Sequence, residues 1–387
     1  MSERLNRIDE IIGGEISNGN IAGASVRAIY KGSDIYRKSF GYADRENNIP
    51  MTDDTIFRMF SMTKPITAAA AMLLLESGMI ELAYPVKWFV KSFEAPMVED
   101  ENGIRPAERD VTVRDLLSMT SGICYPDEWS PSGRKMTAVF DEIKRRNNSD
   151  SPLSTAETAE LIGKCPLAFT PGKCWMYGAS ADVLGAVIEA VSGKRFSEFI
   201  RQEILDPLEM NDTGFYIPQE KYSRLAQIYE QHGNAICPYT DLYLGLTDYS
   251  RPPAFESGGA GLVSTVSDYS NFASMLLNNG TYKGRKILGR KTVQLMKSNL
   301  LNDEQLKTVG WDSMAGYGYG SFMRILLDKT VGGYNFSEGE FGWDGWTGNY
   351  FSVDPSEDLI FLYFIQKTYS GCTDVTRKIK SVIYSDI

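Results

Sequence analysis

Ser61 and Lys64 stand three residues apart at the head of FRMFSMTKPITAAAAMLLLESG (57–78), where a hydroxyl and an amine lead into an almost unbroken apolar run. On a helix this spacing puts both side chains on one face, so the amine can reach the hydroxyl. A lysine at the edge of an apolar helix loses solvation, which lowers its pKa and makes it a proton acceptor. A serine at a helix N-terminus also gains a dipole and free N–H groups that favour developing negative charge. Pro65 fits the same picture, because first-turn N–H groups lack intrahelical partners. The chemistry is that of a nucleophilic serine with a lysine base. The alternative is an N-cap serine beside a snorkelling lysine. The spacing recurs at Ser132 and Lys135, where Ser132 reads as a turn or cap residue ahead of TAVFDEIKRR.

Other routes to hydrolysis find less support. The chain has one histidine, His232, and no G-x-S-x-G segment, which argues against a Ser-His-Asp elbow and against H-E-x-x-H. His232, within EQHGNAICPY, reads as a loop residue. The five cysteines (124, 165, 174, 237 and 372) lack C-x-x-C spacing, so neither a disulfide framework nor a zinc site is expected, and a reducing cytoplasm fits best. A net charge of −10 with no long basic run argues against a nucleic-acid partner, because phosphate neutralisation needs a basic patch. KRRNN at 144–148 reads as a solvated helix end. No signal peptide is expected from the charged, amphipathic first thirty residues. The longest apolar run, ITAAAAMLLL, has ten residues where a bilayer needs about 20, so no membrane partner is expected.

These residues must be positioned by a larger frame, and 387 residues with 43% hydrophobic content allow a sizeable core. Residues 4–17 predict an opening helix, with Leu5, Ile8, Ile11 and Ile12 on one face. AGASVRAIY and SDIYRKSFGYA predict a hairpin around the turn signal KG. Residues 57–78 predict the next helix, stopped by Gly78. From 86 to 250 helical patterns dominate, in VTVRDLLSM, TAVFDEIKRR, TAETAELIGK, ADVLGAVIEAVSG and FSEFIRQEIL, with the acidic VEDENG as a surface loop. SDYSNFASMLLNNG and RKTVQLMKSN add two helices, NYFSVDPSEDLIFLYFIQK two strands, and DVTRKIKSVIY a last helix. The fold class is α+β: an antiparallel sheet flanked by helices, taking strands from both chain ends around an inserted all-helical region. The expected division is 1–85 with 251–387 as a sheet domain and 86–250 as a helical one, with the active site between them.

GYADRENNIPMTDDTIFRMFSMTKPITAAAAMLLLESG, VTVRDLLSMTSGI, ILDPLEMNDTGF and ESGGAGLVSTVSDYSNFASMLLNNG are landmarks, in order, through which nearly the whole chain resembles the serine β-lactamase-like superfamily. Within it the chain is closest to the family VIII carboxylesterases, beside class C β-lactamases and D-alanyl-D-alanine carboxypeptidases. The resemblance implies Ser61 as nucleophile, with Lys64 and Tyr177, in PGKCWMYGASADVLG, moving protons. Tyr177 would act as a phenolate poised by Lys64, which requires its pKa to fall from about 10. The asparagine found two residues after this tyrosine in many members is Ala179 here. The family's Lys-Thr-Gly or His-Thr-Gly element matches Trp343-Asp344-Gly345, within FGWDGWTGNYFSVDP. Backbone N–H groups of Ser61 and Trp346 would form the oxyanion hole. An alternative for Gly342, Gly345 and Gly348 is bulges or close backbone approach in a packed strand.

These departures bear on substrate. Trp343 in place of a cation, beside an anionic Asp344, should weaken recognition of a carboxylate, and loss of the asparagine removes a partner for an acylamide. A neutral, more apolar acyl group is expected. Met119 replaces a histidine that is generally not catalytic. Tyr125, Trp129, the 230–250 loop and Trp346 are expected to line the pocket. The leading expectation is a serine carboxylesterase working on small-molecule acyl esters of short to medium chain, through an acyl-enzyme and without metal or organic cofactor. β-Lactamase or D-Ala-D-Ala carboxypeptidase activity, acyl transfer from the same acyl-enzyme, and a non-catalytic binding protein are the other readings.

Overall fold

Lys31 and Gly32, with φ of +49° and +76°, turn the chain between β1 (Gly23–Tyr30) and β2 (Ser33–Asp44). The computed structural model describes residues 3–387 apart from 102, 148, 234, 242 and 244–248. A short β3 (Ile49–Pro50) follows, and the remaining strands of the main sheet come from the other end of the chain. They are β4 (Tyr317–Tyr319), β5 (Arg324–Leu326), β6 (Phe341–Asp344), β7 (Tyr350–Asp354) and β8 (Leu359–Phe364). The eight run in the order β4-β5-β6-β7-β8-β1-β2-β3, every pair antiparallel. Val26 of β1 lies opposite Tyr363 of β8, so the two chain ends meet at the middle of the sheet.

Both faces of that middle are covered. In β8 every residue is buried, and the side chains alternate between two cores as strand geometry requires. Leu359, Phe361 and Tyr363 pack with Ile8 and Ile12 of α1 (Asn6–Ser17) and with Ile379 and Ile383 of α5 (Asp374–Tyr384). Ile360, Leu362 and Phe364 face the opposite core, shared with α2 (Thr63–Glu76) and α4 (Val266–Leu277). α2 is buried nearly all round, the state expected of a helix without a polar face. It packs against α3 (Ser180–Ser192), one of the helices lying between the two groups of strands. That stretch also holds Val113–Leu117, Pro131–Asn147, Thr155–Gly163 and Phe196–Ile200 before α4, and Arg290–Met296 and Asp303–Leu306 after it. The fold is thus the expected α+β arrangement of antiparallel sheet, flanking helices and helical insertion.

Local departures have local causes. α2 opens at Thr63, not at residue 57, because Phe57 and Arg58 pair with Ser264 and Val263 as a two-stranded ladder. The acidic segment VEDENG, expected as a surface loop, instead contributes residues 98–100 and 103 to a hairpin, Met97–Asp100 against Gly103–Pro106, with residue 102 outside the description. His232 ends a strand, Tyr229–His232, that pairs with Ala235–Pro238. Among the described residues, no helix is long and apolar enough to cross a membrane.

Candidate active site

The turn that carries Ser61 is held from outside. The Met59 N–H donates to Leu262 O at 2.9 Å, extending the ladder that pins residues 57 and 58. A short 3-10 turn, Phe60–Met62, then feeds α2. Phe60 takes a left-handed φ of +46°, a conformation that costs a residue with Cβ on the order of 1–3 kcal/mol. Its ring packs edge-on against Trp346, centroids 5.1 Å apart. At the end of β6, a Cβ on Gly345 would lie 2.5 Å from Met59 O. The chain entering Ser61 and the chain leaving β6 therefore approach at a distance only glycine allows.

Lys64 is fully buried in the first turn of α2. Its Nζ lies 3.1 Å from Ser61 Oγ, 2.9 Å from Tyr125 OH and 2.8 Å from Gly259 O. Burial lowers its pKa from 10.5 to about 7, against the opposing pull of Asp182 and Asp344. Asp182, in α3, stands behind the Gly259 peptide, accepting from Gly259 N–H at 3.1 Å and Ser257 Oγ at 2.5 Å. Burial raises the Asp182 carboxyl, with Ser257 and the Lys64 charge lowering it in part. A Cβ on Gly259 would meet Asp182 Oδ2 at 2.8 Å and Tyr125 OH at 3.1 Å, which explains glycine there.

Tyr177 arrives from the loop before α3, and its hydroxyl accepts from Trp343 Nε1–H at 3.0 Å. The sequence reading expected a phenolate poised by Lys64. Instead Lys64 Nζ sits 4.7 Å above the Tyr177 ring, while burial pushes the phenol up, outweighing its hydrogen bonds with Ser61 and Trp343. Tyr177 is therefore held as the neutral phenol. The tyrosine hydroxyl on the lysine amine is that of Tyr125, whose phenol burial also raises.

Asp344 does not present a free negative charge. Arg324 Nη2 reaches its two carboxylate oxygens at 2.6 and 2.7 Å, and the guanidinium lies 4.7 Å over the Trp343 ring. The electrostatic part of the argument against carboxylate substrates is therefore corrected: the wall is neutralised from inside. The steric and chemical part stands, since Trp343 offers one N–H where a cation would sit, and Tyr177 already takes it.

Ser61, Tyr125, Tyr177, Trp343, Asp344, Gly345 and Trp346 line one cavity of about 270 Å³. Tyr243, Trp311, Tyr369 and Gly371 complete it. Among the described residues, none of those lining the cavity is a lysine or arginine. Trp129 is not among them. Asp127 accepts from the Trp129 and Ser130 N–H groups at 2.9 and 2.7 Å, and this turn leaves the ring 90% exposed. Of the 230–250 segment only Tyr243 reaches the cavity among the described residues, stacked on Trp346 at 4.5 Å; residues 234, 242 and 244–248 lie outside the description. The second Ser-x-x-Lys pair is not assembled for catalysis: Ser132 sits inside the Pro131–Asn147 helix and Lys135 pairs with Glu99 at 2.7 Å. The Trp346 N–H finds no partner among the described residues, as an oxyanion donor requires.

Comparisons with known proteins bear on the family and the fold. The Beta-lactamase family model matches residues 8–380. Protein Rv1367c of Mycobacterium tuberculosis (strain ATCC 25618 / H37Rv) is 31% identical over 91% of this chain and 88% of its own. Esterase EstB of Burkholderia gladioli is 26% identical over 98% of this chain and 95% of its own. The solved structure of EstCE1, described as a hydrolase with promiscuous acyltransferase activity, superposes with a TM-score of 0.84 at 27% identity, covering 99% of both chains. The chain belongs to the Beta-lactamase family, whose fold serves serine hydrolases and acyltransferases alike.

Proposed function

We propose that this protein is a serine carboxylesterase that cleaves neutral, short- to medium-chain acyl esters through an acyl-enzyme on Ser61. The observation that carries this reading is a serine hydroxyl 3.1 Å from a buried lysine whose pKa is lowered to about 7, at the wall of an aromatic cavity. Neutral Lys64 takes the Ser61 proton as Oγ attacks the ester carbonyl. The Ser61 and Trp346 N–H groups hold the oxyanion. The Tyr177 phenol gives its proton to the leaving alkoxide and is restored by the proton that Lys64 gained. Water, activated by the same groups, then releases the acid.

A cavity of about 270 Å³ suits a small acyl ester, and its lack of a lysine or arginine suits a neutral one. The names of EstB and EstCE1 point the same way. The EstCE1 description also favours a second outcome for the acyl-enzyme, transfer to an alcohol in place of water, because the same intermediate serves both. A β-lactam or D-Ala-D-Ala substrate would bring a carboxylate to a cavity that offers it no cation. A cytoplasmic setting fits the five free cysteines.

The test is p-nitrophenyl butyrate turnover by the wild-type protein and Ser61→Ala, with nitrocefin in parallel. Ester turnover that vanishes with the hydroxyl, with nitrocefin slower by orders of magnitude, is expected. Ester turnover that survives in Ser61→Ala sinks the proposal, and nitrocefin turnover matching that of the ester redirects it to lactams.

A further inference from the structure

The hairpin formed by Tyr229–His232 and Ala235–Pro238 carries three side chains that the acyl-transfer site does not use. Its register sets Glu230 directly opposite Cys237 and His232 opposite Ala235. Residues facing each other across an antiparallel pair share a face, as do residues two apart on one strand. Tyr229 and Ile236 turn one face inward, onto Ala22. Glu230, His232 and Cys237 therefore gather on the other face. The carboxylate, imidazole and thiol ligand atoms all lie within 4.8 Å of one another, and His232 Nε2 is 3.6 Å from Glu230 Oε1.

We propose that this face of the hairpin is a binding site for a zinc-like divalent transition-metal ion, held by Glu230, His232 and Cys237. A tetrahedral ion with bonds of about 2.0–2.3 Å spaces its ligand atoms about 3.3–3.6 Å apart. Carboxylate and imidazole already stand at that spacing, and the thiol lies within 4.8 Å of both, so any remaining gap is within reach of a side-chain rotation. Ala235, across from His232, puts no bulky group in the way. One sulfur, one nitrogen and one oxygen donor favour zinc and its neighbours over magnesium or calcium, which take oxygen cages. His232 is 67% exposed, so water can fill the fourth position. Binding deprotonates the Cys237 thiol and releases the proton to solvent.

The chain's one histidine and one of its five cysteines meet here through strand pairing, which no C-x-x-C pattern would reveal. The same hairpin runs on into Tyr239 and Tyr243, whose rings pack on Trp346 at 5.5 and 4.5 Å. A metal joining its two strands would brace the base of the segment that walls the cavity.

The test is cobalt titration of the full-length, reduced protein, followed by absorption, with the variants Cys237→Ser, His232→Ala and Cys174→Ser. Binding of one equivalent is expected, with a thiolate-to-cobalt charge-transfer band that zinc displaces. The band disappears in Cys237→Ser, binding weakens at least tenfold in His232→Ala, and Cys174→Ser behaves as wild type. Unchanged circular dichroism confirms that the variants are folded. No charge-transfer band at millimolar cobalt, or a band indifferent to either Cys237→Ser or His232→Ala, overturns the assignment.

Discussion

If the Lys64 amine is the base, the acid limb of kcat/KM must follow its titration. With a pKa of about 7, about 9% of the enzyme holds a neutral lysine at pH 6 and about 91% at pH 8, so activity rises about tenfold over that interval. The perturbation that identifies the group is Asp182→Asn. Asp182 favours the ammonium form of Lys64, so removing its charge lowers the lysine pKa further and moves the acid limb to lower pH. An opposite charge in direct contact moves a pKa by about 1–3 units, and Asp182, which acts from behind the Gly259 peptide, is expected to give a displacement at or below the lower end of that range. Asparagine keeps an oxygen to accept from Gly259 N–H, so the Gly259 carbonyl that Lys64 uses stays in place. The assay is the pH dependence of kcat/KM on p-nitrophenyl butyrate from pH 4.5 to 9, corrected for spontaneous hydrolysis. A limb that moves upward, or that disappears because Asp182 was itself the titrating group, refutes the assignment of the base.

Trp343→Phe removes the N–H donated to Tyr177, a bond worth about 0.5–1.5 kcal/mol, and also one ring of a fully buried indole, so some loss of stability accompanies it. A fall of about 2- to 13-fold in kcat/KM of the folded variant is expected, and an unchanged rate would show that the bond plays no part in turnover. Arg324→Met strands the Asp344 carboxylate and should cost about 3–5 kcal/mol in urea unfolding. Pairing it with Asp344→Asn should restore most of that loss, and failure to do so would place the damage in packing. Gly345→Ala forces its Cβ against Met59 O, displacing the turn before Ser61 relative to the Trp346 N–H. A kcat loss of about 100-fold is expected, and wild-type kcat would show that the two backbones are free to part.

The parts of the site that were legible in the sequence are those whose partners are close along the chain. Ser61 and Lys64 announce each other by spacing, and the apolar run after them announces burial. The contact of Lys64 with Tyr125 spans 61 residues and that with Gly259 spans 195, distances at which no periodicity survives. Family resemblance singled out Tyr177, which the structure sets in the same cavity as Ser61, yet its proton state depends on burial among Trp343 and the rings around it. Arg324 did leave a signal, a lone cation in the apolar SFMRILL, which demands a buried partner. Asp182, near the start of an apolar helix, left a similar one. Trp129 was expected to line the pocket, but the turn made by Asp127 leaves its ring exposed, and nothing in the residue types of that segment gives the direction of the turn. The β1–β2 hairpin and the two strands around DPSED were readable from β-rich runs and turn signals, whereas β4 and β5 and their pairing were not. Nor was the pairing of Phe57–Arg58, since its partner lies about 200 residues away.

Why a buried lysine is tolerated follows from its neighbours. Bringing its pKa from 10.5 to about 7 corresponds to about 5 kcal/mol between the two protonation states. The sign is set by proton uptake: between pH 7 and 10.5 the unfolded chain holds a proton that the folded chain has released. This group's contribution to stability is therefore complete above 10.5 and is lost as pH falls toward 7. A methionine would escape that loss and leave three polar partners unsatisfied. As an ammonium, Lys64 has three N–H donors for three oxygens, on Ser61, Tyr125 and Gly259. As a neutral amine it has two donors for Tyr125 and Gly259 and a lone pair for the Ser61 proton. The same three neighbours satisfy the base before and after it takes the proton, so the transfer demands no rearrangement around a group that water cannot reach. On the proposed mechanism the cost is met in folding, and the barrier of the acylation step is relieved of it.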